Sequence, residues 1–296
     1  RTVRIRDLTR GPFRPKGVTD AEATAAAGNN ESVGEKSAPV ALTRPSPLSG
    51  RAAAQWILDA GGQIHLQGSG GWKTRLEPPA SLPRRPFNVT TVDLPDNRSF
   101  QPHDLFRLSN LTRVVQLNLN DVTLSDESLS VLSRMPKLQR LYLSRTGLTD
   151  KCLPLIARAG ELRQLHLPST KITDEGMAAL AGLDKLYLLF IWNTSITDEG
   201  LRHISRIPAL ELLNVDKTFV SDHGLAHLAR HPKLKNISLA GTKVTDEGLK
   251  HLHALKTLRR LKVTDTQVTA AGVRDLQAAL PDCEVEAEVT ESKPVK

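Results

Sequence analysis

Aromatic side chains are scarce, with six Phe, two Tyr and three Trp among 296 residues. A conventional globular core leans on such rings, so their shortage argues for a core of stacked aliphatic layers. Cysteine is nearly absent as well. Cys152 and Cys283 are the only two, which excludes a disulfide framework; neither has a partner at metal-ligand spacing, and both are expected as small unpaired core residues. Long apolar runs are missing too. The longest, Leu186 to Trp192, is far short of the roughly 20 residues that a membrane-spanning helix needs. No secretory leader is visible, and the compartment stays open. The chain opens on Arg1 rather than Met, so it reads as a fragment of something longer. Concentrated charge is the last absence. The net charge of +8 comes from basic residues mixed with acids, with only short clusters such as Arg84-Arg85 and Arg259-Arg260. An interspersed surface of this kind favours solubility over a phosphate track, so no nucleic-acid partner is expected.

What the chain has in abundance is repetition. Leu138, Leu162, Leu186, Leu210, Leu234 and Leu258 recur every 24 residues. Each opens the same phrase, as in Leu138, Leu141, Leu143 and then Leu162, Leu165, Leu167. The frame runs back through Val114, Leu117 and Leu119 to a looser copy at Val89, Val92 and Leu94, about eight copies in all. Within each copy, alternation predicts a short strand, a turn follows, and helical spacing such as Leu249, Leu252, Leu255 predicts a helix. Thr-Asp-Glu at 173–175, 197–199 and 245–247 suits a helix start, where the hydroxyl caps and the acids meet the positive end of the dipole. Pro208 and Pro232 fall between helix and strand, where a helix must stop.

Phrases such as LYLSRTGLTD and ISLAGTKVTDEGLKHL resemble the leucine-rich-repeat family, specifically its bacterial planctomycete-type repeat, over roughly residues 89–287. The resemblance implies an α/β solenoid with parallel strands on the concave face, helices on the convex face and a cap at each end. Thr146, Thr170, Thr194, Thr218, Thr242 and Thr266 stand where the family usually has Asn. Thr can still bond the backbone locally, so the turn should survive with a thinner polar ladder. The last unit, with Ala270 in place of the Asp and Leu280-Pro-Asp-Cys283 after it, reads as a closing cap. The segment AAAQWILDAGGQIHL resembles what precedes the repeats in that family. Residues 51–88 are thus expected as an opening cap, a helix from Arg51 to Ala60 and a hairpin. Residues 1–50 read as an upstream strand remnant (Val3, Ile5) and a disordered linker rich in Pro, Ala and Ser, and 288–296 as a disordered tail.

Several constellations suggest chemistry and resolve more simply. Gly68-Ser-Gly70-Gly71-Trp72-Lys73 lacks the Gly directly before Lys that a phosphate loop requires, and suits a hairpin turn. His203, His227 and His251 stack on parallel helices and point the same way, which does not converge on a metal. The Asp column at 126, 150, 174, 198, 222 and 246 sits at helix N-termini, a structural position. The sequons at Asn88, Asn97 and Asn110 read as chance. Neither an enzyme nor a cofactor is expected.

The strands carry the functional signal. Residues alternating with buried Leu face outward onto the inner curve: Arg140, Tyr142 and Ser144, then Gln164, His166 and Pro168, then Leu188, Phe190 and Trp192, then Leu212, Asn214 and Asp216. Phe190 and Trp192 together on an outward strand, in a chain so poor in aromatics, mark an expected partner-binding patch. It comprises Tyr142, His166, Leu188, Phe190, Trp192, Leu212 and Asn214, with Arg140, Lys217, Arg260 and Lys262 as charged flanks. The expected function is a non-catalytic scaffold for a protein or peptide. By resemblance, such arrays often accompany kinase or membrane-anchored modules, so a docking brace for an upstream enzyme is the alternative. A substrate-receptor adaptor like the eukaryotic F-box repeat proteins is a third, although no F-box-like segment is present.

Overall fold

A computed structural model describes residues 46–94 and 100–288; the expected upstream strand, nearly all of the linker and of the tail, and the sequon at Asn97 lie outside them. Ser49 opens α1 (Gly50–Asp59) by accepting a hydrogen bond from the Ala52 amide, and the helix buries Ala53, Ala54, Ile57 and Leu58. A hairpin follows, β1 (Gln63–Gln67) and β2 (Lys73–Leu76). Its turn needs two left-handed residues and finds them in Gly70 and Gly71, at φ 84° and 80°. The glycine segment therefore joins antiparallel strands and does not lead into a helix. The Trp72 ring folds back over Gly68, where a Cβ would overlap it.

β3 (Asn88–Asp93) begins a run of parallel strands: β4 (Gln116–Asn118), β5 (Arg140–Tyr142), β6 (Gln164–His166), β7 (Leu188–Phe190), β8 (Leu212–Asn214), β9 (Asn236–Ser238), β10 (Arg260–Lys262) and β11 (Glu284–Glu286). With the hairpin added antiparallel at one end, β1 against β3 and β2 at the edge, they form one 11-stranded sheet in which β3 to β11 follow sequence order. The helical segments lie on the other side of the core, as α2 (Leu153–Ile156), α3 (Asp174–Met177), α4 (Asp198–Ile204), α5 (Asp222–Leu228), α6 (Asp246–Leu252) and α7 (Ala270–Ala279). Strands stack about 4.8 Å apart while helices need 8–10 Å, so the strand side curves inward. Between them runs one continuous core built almost wholly of Leu, Ile and Val.

Not every copy forms an α-helix. Pro102–Leu108 and Asp126–Arg134 are 3-10 segments. In the second, the Ser128, Ser130 and Ser133 hydroxyls donate to carbonyls three residues back, a local competition that favours the tighter winding.

Each turn after β4 to β10 places the third residue past its strand in the left-handed region, at 121, 145, 169, 193, 217, 241 and 265. Only Gly241 is glycine; Arg145, Ser169 and Lys217 hold φ near 54° at a cost of about 1 kcal/mol each. The next residue answers with a hydrogen bond. The hydroxyls of Thr146, Thr170, Thr194, Thr218, Thr242 and Thr266 donate to the carbonyl three residues back at 2.6–2.8 Å, within their own turn.

The Asp column supplies the inter-repeat tie that those threonines do not. Asp126 accepts from the Thr149 amide at 2.9 Å and from its hydroxyl at 2.6 Å. Asp150, Asp174, Asp198, Asp222 and Asp246 repeat the pair of bonds with Thr173, Thr197, Ser221, Thr245 and Thr269. Charge-assisted bonds of this kind are worth about twice a neutral one. The ladder explains the glycine two residues after the Asp. At Gly224 and Gly248 a Cβ would come within 3.0 Å of the preceding copy's carboxylate. The equivalent position of the next copy holds Ala270, so among the described residues the column ends at Asp246.

Candidate recognition face on the strands

Strand register sets the outward side chains in rows. The first row runs Gln116, Arg140, Gln164, Leu188, Leu212, Asn236, Arg260 and the second Asn118, Tyr142, His166, Phe190, Asn214, Ser238, Lys262. A third, just past the strand ends, includes Ser144, Pro168, Trp192, Asp216 and Ala240, stepped together by the amides of Arg145, Ser169, Asn193 and Lys217 donating to the next copy. Leu189 and Ile191 belong to the inner core, whereas Leu188 and Phe190 stand outside it. The structure thus brings all seven expected patch residues together on one face.

Their exposure differs from the sequence expectation. Phe190 is 2% exposed, Leu188 8%, His166 7% and Asn214 3%; only Tyr142, Trp192 and Leu212 are half-exposed. The open apolar patch is corrected to a closed stack with a half-exposed rim. Spacing is the cause: at about 4.8 Å between strands, large side chains in one row pack face to face and exclude water. The Tyr142 and His166 rings stack with centroids 4.4 Å apart, and His166 meets Phe190 edge-on at 4.8 Å. Phe190 is further flanked by Leu188 two residues before it, Trp192 two residues after it, past the strand end, and Asn214 beside it.

Burial also sets the chemistry of this stack. Desolvation pushes the His166 imidazole down to about 4, so the ring is neutral at ordinary pH and packs as an aromatic. Its Nε2 is buried with no hydrogen-bond partner. Burial likewise raises the Tyr142 phenol. Asn214 is committed internally. Its Oδ1 accepts from the Asp216 amide at 2.9 Å and its Nδ2 donates to Asp216 Oδ2 at 3.2 Å. Asp216 also accepts from the Ser238 hydroxyl and the Ala240 amide. Burial raises its carboxyl, and the bonds from Ser238, Ala240 and Asn214 work against that rise.

The charged flanks divide. Arg260 faces Glu284 at 3.5 Å and Lys262 faces Glu286 at 3.1 Å, so both are neutralised across the last two strands. Lys217 is exposed on its left-handed turn. Arg140 is half-buried and makes no ion pair among the described residues, and its Nε is buried without an acceptor. One contributor escaped the sequence reading. Tyr187, on the approach to β7, accepts through its hydroxyl from Gln164 Nε2, while Gln164 Oε1 accepts from Tyr142 at 3.5 Å. The signal was the column of residues just before each strand, which also stacks at the repeat spacing.

The Asp and Cys candidates are occupied or shielded. All six Asp of the column serve the ladder, and burial lifts the thiols of Cys152 and Cys283 to about 12, where neither is nucleophilic. His203 faces Glu199 at 3.2 Å, and among the described residues no group of three or more His, Cys, Asp or Glu could hold a metal ion. No helix of the described residues is long and apolar enough to cross a membrane.

Comparison with known proteins agrees with this geometry. A family model described as Leucine Rich repeat matches residues 162–181. Among solved structures, internalin C2 from Listeria monocytogenes superposes with a TM-score of 0.55 at 24% identity, covering 67% of this chain and 80% of that one. No curated protein matches.

Proposed function

From the premise that this chain is a leucine-rich-repeat solenoid, we propose that it is a non-catalytic scaffold that binds a protein or peptide on its strand face, around Trp192 and Leu212. The observation that carries the reading is the rim of Tyr142, Trp192 and Leu212, half-exposed above a rigid, dehydrated bed of His166, Leu188 and Phe190. Large side chains already immobilised by their neighbours lose little freedom on binding, which is what makes aromatic residues effective anchors. Phe190 and His166 act from below, holding the rim in place, and Asn214 acts by fixing Asp216.

The test is a capture experiment with purified wild type, Trp192→Ser/Leu212→Ser and a helix-side control, Ala226→Ser, an exposed position on α5. Proteins retained by wild type and the control and lost by the double variant support the reading. Equal recovery by all three removes it.

A further inference from the structure

The strand face is electrically lopsided in a way the apolar rim does not explain. Asp216 is held by three donors, Asp93 by Asn118, and Arg260 and Lys262 by glutamates. Arg140 alone among the described charges of these rows has no counter-charge or acceptor, and part of its guanidinium is already dehydrated. A half-buried cation left in that state is costly, and an arriving carboxylate offsets the cost with a charge-assisted bond. Arg140 also shares a row with the apolar step. Leu188 and Leu212 lie two and three strands along from it, with Gln164 between. At about 4.8 Å per strand that is roughly 10–14 Å, the reach of three or four residues of extended chain.

We propose, building on the recognition role of this face, that its ligand is an extended acidic segment of another protein, lying across the strands. Its Asp or Glu pairs with Arg140, and a large apolar side chain three or four residues away settles on Leu188 and Leu212 beside Trp192. The fork of an arginine suits a carboxylate in two-bond geometry, so lysine at this position would serve less well.

The probe is a randomised dodecapeptide display library panned against the purified full chain, with selected peptides remade and measured by fluorescence anisotropy. Selected peptides are expected to share an acid three or four residues from Leu, Phe or Trp. Arg140→Gln should weaken them about ten-fold, Arg140→Lys less, and raised salt should weaken the wild type most. Replacing the peptide's acid by its amide should cost the same on wild type and nothing further on Arg140→Gln. An unchanged melting temperature for Arg140→Gln separates this loss from unfolding. Peptides that depend on Trp192 and Leu212 but show no acid preference, or bind Arg140→Gln as tightly as wild type, overturn the acidic-ligand proposal and leave the recognition face standing. Peptides indifferent to Trp192→Ser/Leu212→Ser, or no enrichment at all, overturn both.

Discussion

Replacing Gly224 by Ala should destabilise this protein, against the ordinary rule for a glycine within a helix. Gly224 lies in α5, where alanine would normally gain about 1 kcal/mol. Here the new Cβ would meet Asp198 Oδ1 closer than 3.0 Å. That oxygen accepts the Ser221 amide at 2.7 Å, and displacing it forfeits a charge-assisted bond worth about 2 kcal/mol. Overpacking against Leu201 and the Asp198 backbone adds about 1 kcal/mol. The net loss is about 2 kcal/mol, or roughly 4–8 °C in Tm for a chain of this size. Gly182, with no neighbour within 4 Å of its Cβ position, is the control: Gly182→Ala should be neutral or mildly stabilising. Thermal and urea unfolding followed by circular dichroism give both values. A double-mutant cycle completes the test, because in an Asp198→Ala background the cost of Gly224→Ala should largely vanish. If Gly224→Ala stabilises, or costs the same in both backgrounds, the ladder does not dictate the glycine.

Two further substitutions test the strand face and its turns. His166→Phe removes a buried, unpartnered nitrogen and should stabilise the fold by about 1 kcal/mol at pH 7. The gain should grow on acidification. With its folded value near 4, below the unfolded value, His166 leaves the unfolded chain binding more protons as pH falls through the interval, so wild type should lose about 2 kcal/mol between pH 7 and 5 that the variant keeps. Urea midpoints that fall in parallel for both proteins would refute this. Lys217→Gly relieves a non-glycine residue at φ 54° and should raise stability by about 1 kcal/mol, with Asn193→Gly gaining less because Asn tolerates that region; thermal melts that rank the two the other way would contradict it.

The fold was legible because one pattern is written many times. Leu141 and Leu143, or Leu165 and Leu167, alternate within three residues, and the 24-residue recurrence brings them into register without any long-range guess. The same alternation placed Tyr142, His166, Leu188, Phe190, Trp192, Leu212 and Asn214 on one face. Their burial was not legible, since alternation says which way a side chain points and nothing of how far its neighbours in the row reach across it. Phe190 is closed off by His166 and Leu188, residues 24 and two positions away. The ladder was half legible. The Asp column was recognised as a helix-start feature, but its partner lies 23 residues on, one short of the repeat, and a search for equivalent positions passes over that offset. The 3-10 winding at Asp126–Arg134 was hidden for a different reason, because apolar spacing there satisfies either helix and serine back-bonding decides between them.

The strand side of the solenoid, and not the helix side, is expected to meet the partner. A photo-crosslinking amino acid placed at position 192 on the strand face and, separately, at 226 on the exposed side of α5 reports this in one irradiation of the host cell. The expected result is a protein adduct from position 192 and none from 226. Adducts from 226 alone, or the same adducts from both, would contradict it.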